Sequence, residues 1–268
     1  MLYVSDQETD VVDLYSYPSL RKVGVLTGFE STPAGMCTDR NQNVWITAGS
    51  AGAIFEFAHG GSTPFNRLSV PGEFPIDCSI SPATGDLAVT SLSGHVLVFP
   101  NASGSPAAYT DPSMAKAWFC GYDPKGDLFV DGIGPSSNFV FAALRKGKGS
   151  LSNITLSVPV AAPGGVQWDG RDLTVADGES GYVYRVDRAT GQVIKMIDLN
   201  LVGERTGGFW IQGRRIVVPV VTSNTVGIWR YPHGSEPIKK ISGFGELFGV
   251  TISKGTSANW RGNALRLR

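Results

Sequence analysis

Titratable, reactive side chains are scarce in this sequence. Among its 268 residues there are three histidines, His59, His95 and His233, and three cysteines, Cys37, Cys78 and Cys120. An odd number of widely spaced cysteines is neither a disulfide framework nor the paired spacing of a zinc site. The expectation is three reduced, buried thiols of low reactivity, since each falls on what reads as an innermost strand. Net charge is absent too: 23 Lys plus Arg balance 23 Asp plus Glu, which argues against a general nucleic-acid binder. No run approaches the roughly 18 apolar residues of a membrane span. No charged and then apolar leader opens the chain, so no signal peptide is expected within it. A leader removed earlier would leave the same start, and the compartment stays open. G-x-S-x-G, P-loop and H-E-x-x-H motifs are missing.

Glycine and proline are plentiful, 34 and 16, and they are spread along the chain rather than gathered in one linker. With 42% hydrophobic and 17% charged residues, the composition predicts an ordered chain of many short elements joined by tight turns. One kind of strand recurs: LYVSD at 2–6, VWITA at 44–48, LAVTS at 87–91, LFVDG at 128–132, LTVAD at 173–177 and IVVPV at 216–220. The starts are spaced by 42, 43, 41, 45 and 43 residues, and the third position is always Val or Ile, suited to a buried pleated sheet. A second series precedes five of these strands: GMCTD, DCSIS, FCGYD, GVQWD and GFWIQ. A third follows with alternating aromatic and polar residues, as at Phe55 and Phe57. A fourth closes each unit, with ITLSV at 154–158 expected in that role for the fourth unit.

Four short antiparallel strands per unit of about 43 residues describe the blade of a β-propeller. LYVSD has no first-series strand before it, whereas FGVTIS at 248–253 has no second strand after it. The two ends complement each other, so the C-terminal strand is expected to complete the N-terminal blade. The fold is therefore predicted as an all-β, six-bladed propeller over residues 1–255. Residues 256–268 are expected to form a loose tail.

The residues Pro33, Gly35 and Asp39 with Asn43 to Ile46, then Asp123, Gly126 and Asp127 to Val130, and Pro163, Gly165, Trp168 and Asp169 form a recurring pattern. It resembles NHL-type six-bladed propellers and their lactonase-like and streptogramin-lyase-like relatives. That resemblance implies the fold over nearly the whole chain. For activity, it implies either a divalent metal near the axis, held by carboxylate and amide ligands, or a histidine with acidic partners. The lactonase-type ligand motifs are not matched here, and Glu30 stands where an E-G-P opening would be.

In an up-and-down blade, the loops after strands two and four share one face, taken here as the channel mouth. His95 falls at that face with Asp77 in the same blade, and the pair is the candidate general base. His59 and His233 fall in turns on the opposite rim. Asp6, Asp131 and Asp177 end second strands of three blades and are the candidate ligands for Ca2+ or Mg2+. The mouth loops also carry Glu8, Asp10, Glu30, Glu73, Glu179, Glu204 and Glu246, against only Lys116 and Arg205. Basic residues such as Arg40, Lys125, Arg171 and Arg188 gather on the other face. An acidic concavity attracts cations, cationic ligands or basic peptides. Two functions of different class follow. One is a non-enzymatic scaffold whose acidic mouth binds a protein, peptide or small molecule. The other is a metal-assisted hydrolase or lyase at the same mouth. The first is preferred because no complete catalytic constellation can be named. The chain is expected to act as a monomer.

Overall fold

The structure is a computed structural model that describes residues 1–255, so the expected tail at 256–268 lies outside the described residues. Six four-stranded antiparallel sheets form the ring. Numbering strands in chain order, the innermost strands are β4 (Pro33–Thr38), β8 (Pro75–Ile80), β12 (Lys116–Tyr122), β16 (Pro163–Trp168), β20 (Trp210–Gln212) and β24 (Leu247–Ile252). The second strands are β1 (Leu2–Asp6), β5 (Val44–Ala48), β9 (Leu87–Ser91), β13 (Leu128–Ile133), β17 (Leu173–Asp177) and β21 (Arg215–Val220). Nearly every residue of these second strands is buried, because each strand is covered by a neighbouring blade on both faces. That is why they read as nearly continuous β-branched and apolar runs. Among the described residues no helix is long and apolar enough to cross a membrane.

The first blade is built from both ends of the described chain. β24 pairs antiparallel with β1, Leu2 opposite Ile252 and Val4 opposite Val250, as the complementary ends predict. The seam is further tied by the Met1 amine donating to the Ser253 carbonyl and by His59 Nδ1 on Ser253 Oγ at 2.6 Å. His59 therefore does more than decorate a turn. Burial and the nearby terminal ammonium lower its pKa.

Two expectations are corrected. The fourth blade does not use ITLSV as its outer strand: β15 is the pair Ser152–Asn153, placed against β14 (Phe139–Leu144). Ile154 still donates its N–H to the Phe141 carbonyl, but Ile154, Leu156 and Val158 then pack over the core between the fourth and fifth blades, and Ser157 bonds Gly191 and Val193 of the fifth. The second correction concerns the thiols. Cys37 and Cys78 form a disulfide, with Cα atoms 5.6 Å apart, and only Cys120 is free among the three. The cause is parity. Cys78 and Cys120 stand opposite Val89 and Val130, the third position of their second strands. Cys37 stands opposite Trp45, a second position, with Met36 opposite Ile46. Being one residue out of phase turns Cys37 to the other face of its sheet, toward the next blade, where Cys78 faces back. The residue in phase with Cys37 on β8 is Ser79, so Cys120 meets no thiol. Burial, with Asp77 and Asp131 nearby, pushes the Cys120 thiol well above its usual range.

Candidate functional site

The same parity sorts the acids singled out from the sequence. Asp6 and Asp177 occupy the fifth position of their second strands, and each pins the loop that enters the neighbouring innermost strand. Asp6 accepts the backbone N–H groups of Glu8, Gly245 and Glu246 at 3.2, 2.9 and 3.1 Å. Asp177 accepts those of Glu179, Ala161 and Ala162 at 3.1, 3.2 and 3.2 Å. Ser91, at the fifth position of β9, does the same for Phe74 and Ser93. Asp131 sits one residue earlier, at the position of Ser5, Thr47 and Thr90, whose hydroxyls bond backbone groups of innermost strands. Its carboxyl takes Phe119 N–H at 2.8 Å within its own blade and Gly165 N–H at 3.3 Å in the next. Burial raises the Asp131 pKa to about 7 against the opposing pull of those N–H groups.

Asp6, Asp131 and Asp177 are thus buried, turned in different directions and occupied by backbone donors. Among the described residues no three His, Cys, Asp or Glu side chains converge as a metal centre requires. The ligand set that a bound Ca2+ or Mg2+ would need from these three is not assembled.

His95 and Asp77 do not meet either. Asp77 lies deep in the channel wall, where it accepts Cys120 N–H at 3.1 Å. Burial raises its pKa well above the carboxylate range, and Asp131 adds to the rise. The acid that holds His95 is Glu73, from the loop before β8: Oε1 is 2.6 Å from Nδ1. Ser93 Oγ is 3.2 Å from the same Nδ1 and donates to the other Glu73 oxygen. Burial raises the Glu73 pKa, but bonds from Ser93, Ser91 and His95 outweigh it and hold the carboxyl below its usual range. A carboxylate on Nδ1 fixes that nitrogen as the protonated one and leaves Nε2 as an acceptor.

The main concavity at the mouth is a bowl of ≈ 630 Å³. Its walls come from the loops after strands two and four, as expected: Gln7, Thr32, Phe74, Glu179, Arg205 and Glu246. Its floor is apolar. Trp118 and Phe248 stack with centroids 6.1 Å apart at 20°, and Phe119 lies 5.5 Å from Phe248. Ala34, Ile76 and Leu92 complete that cluster. Below it, a smaller axial cavity of ≈ 220 Å³ opens toward the other face, and Phe119 lines both.

Column-by-column comparison of the innermost strands shows why the ring is plugged. The row containing Phe119 reads Gly35, Asp77, Phe119, Gly165, Gly208 and Gly249. Four glycines leave the axis free for one aromatic ring. A Cβ on Gly208 would stand 2.9 Å from the Phe119 ring. No motif marks these floor residues. For Phe119 the signal in the sequence is that row, in which one bulky residue faces a set of glycines.

No protein-family model matches the chain, and no curated protein matches it either. Solved structures do. A chain of the nidogen/laminin complex superposes with a TM-score of 0.77 at 14% identity, over 94% of this chain and 97% of that one. A protein of unknown function from Bacteroides caccae gives 0.71 at 10% identity, over 93% and 97%. Streptogramin B lyase gives 0.61 at 14% identity, over 78% and 68%. At such identities the likeness is one of fold, and the fold has served both association and catalysis. The chain is a six-bladed β-propeller with an aromatic-floored bowl at one mouth.

Proposed function

We propose that this propeller is a binding scaffold that seats an apolar group of a partner in the mouth bowl. The observation that carries this reading is the stacked floor of Trp118 and Phe248 beneath a ≈ 630 Å³ concavity. Concave, largely apolar sites with a few polar groups at the edge are the usual form of ligand sites. Phe74, 40% exposed at the wall, is surface that solvation alone does not favour. The comparison with a chain from the nidogen/laminin complex supports a protein as the partner class, since that fold takes part in an assembly. The test is a titration with indole followed by NMR. Resonances of Trp118 and Phe248 should shift, and Phe74→Asp should weaken binding roughly tenfold, the worth of about 1.4 kcal/mol of lost apolar contact. Shifts confined to the opposite face, or none at all, refute the reading.

A second reading, a hydrolase or lyase, is favoured by one observation: the His95 imidazole held through Nδ1 by Glu73 at 2.6 Å. Any turnover of this origin should vanish in His95→Ala while indole binding persists.

A further inference from the structure

We infer that the occupant of the bowl carries an alkylammonium group: the lysine side chain of a partner protein, its amine held against the aromatic floor and the acidic wall. This rests on the binding reading above and adds the chemistry of the bound group.

Three observations converge on a cation of that kind. The first is charge. Glu179 and Glu246 line the bowl, both exposed, and among the described residues neither forms a salt bridge. Directly behind them stand the buried carboxyls of Asp177 and Asp6, which grip the backbone N–H groups of those same two residues. Among the described residues, Arg205 is the single basic residue of the lining. Like charges stacked in two layers around a concavity focus negative potential into it.

The second is the floor. Aromatic faces attract cations through their quadrupole, most strongly for Trp, and the lysine ammonium is among the organic cations that such faces receive. A hard divalent cation has the opposite requirement, several oxygens at short range. The buried carboxyls able to supply them are already engaged by backbone donors. The site therefore selects an organic cation over a metal ion.

The third is shape. The bowl opens where loops of several blades converge, and its volume exceeds what one ammonium group fills. A lysine stem gives both parts of the fit. Its methylenes cover the apolar wall at Phe74 and Leu92, and its amine reaches the Trp118–Phe248 pair and the glutamates.

The experiment compares three probes by NMR titration at low salt: Nα-acetyl-lysine-N-methylamide, the norleucine analogue that lacks the charge, and n-butylammonium. The lysine derivative should bind about fivefold more tightly than the norleucine one, the scale of one exposed cation–π contact. Added salt should erode that advantage. Glu179→Gln combined with Glu246→Gln should reduce it without moving the norleucine affinity, since the backbone N–H bonds to Asp177 and Asp6 remain. Equal affinities for lysine and norleucine derivatives overturn the cation inference and leave the apolar bowl standing. n-Butylammonium, which is the lysine side chain without its backbone, should bind about as tightly as the lysine derivative; a lysine derivative that binds while n-butylammonium does not would overturn the assignment of the contact to the side chain. No shift at Trp118 or Phe248 with any probe, in protein whose circular dichroism is native, overturns both this inference and the binding reading.

Discussion

The bond between Cys37 and Cys78 ties two neighbouring blades at the channel wall, and its removal should be felt by the whole ring. The cysteines are 41 residues apart, so the bond closes a loop of about that length in the unfolded chain. The chain-entropy relation gives about 4 kcal/mol for a loop of this size, lost when the bond is cut. Both sulfurs lie in the packed core between the second and third blades with Trp45, Leu87 and Val89, so replacement by alanine adds a small cavity cost. The assay is equilibrium unfolding in guanidinium chloride of wild type, of wild type under strong reductant, and of the Cys37→Ala/Cys78→Ala double variant. Reductant and double substitution should lower stability by similar amounts and leave the wild-type optical spectra unchanged. The parity argument adds a second arm. Ser79 is to Cys120 what Cys37 is to Cys78, again 41 residues apart (120 minus 79), and Ser79 Oγ already reaches Tyr122 N–H on β12 at 3.1 Å. Ser79→Cys should therefore form a second bond with Cys120 on oxidation, seen as a two-hydrogen mass loss and as disappearance of the last free thiol. Rapid labelling of three thiols in native wild type, or two thiols that stay reduced in the oxidised Ser79→Cys variant, would refute the reasoning.

Other outcomes follow from the same geometry. Because the folded Asp131 pKa is about 7 and the unfolded value 3.8, its contribution to stability is full below pH ~4 and falls as pH rises toward 7. The upper limit is ~4 kcal/mol, at 1.36 kcal/mol per unit. Chemical denaturation at pH 4 and pH 8 should show a smaller decline for Asp131→Asn than for wild type. A parallel decline would remove Asp131 as its source. Truncation after Gly245 removes β24 and exposes both β1 and the neighbouring cores, so cooperative unfolding should be lost; a sharp transition in the truncated chain would contradict ring closure through the seam. Gly208→Ala sets a methyl group against the Phe119 ring and should destabilise by about 1–3 kcal/mol, the usual cost of overpacking, read from the denaturation midpoint.

The period of about 43 residues makes the blades, their strand order and the seam legible, because a repeated buried strand leaves a repeated apolar run. Finer placement is not legible, for a physical reason. Side chains on a strand change face every residue, so an error of one position that leaves the blade count untouched sends a functional group to the wrong place. Motif position alone groups Cys37 with Cys78 and Cys120, and Asp131 with Asp6 and Asp177. One residue of phase makes a disulfide of the first mismatch and disperses the second group. The aromatic floor is hidden for another reason. Phe119 and Phe248 look like core residues in their own strands; the register of Phe119 against Gly35, Gly165, Gly208 and Gly249, and the stacking of Phe248 on Trp118, show that they fill the axis. The acids that the sequence places at the mouth divide in the structure. The aspartates at second-strand ends are buried pins for the entry loops, and the glutamates those loops carry are the exposed charge. A carboxylate that closes a loop by accepting three N–H groups is already satisfied and has little to offer a metal ion. The same bonds hold Glu179 and Glu246 at the rim of an aromatic bowl, where they are free to meet a cation.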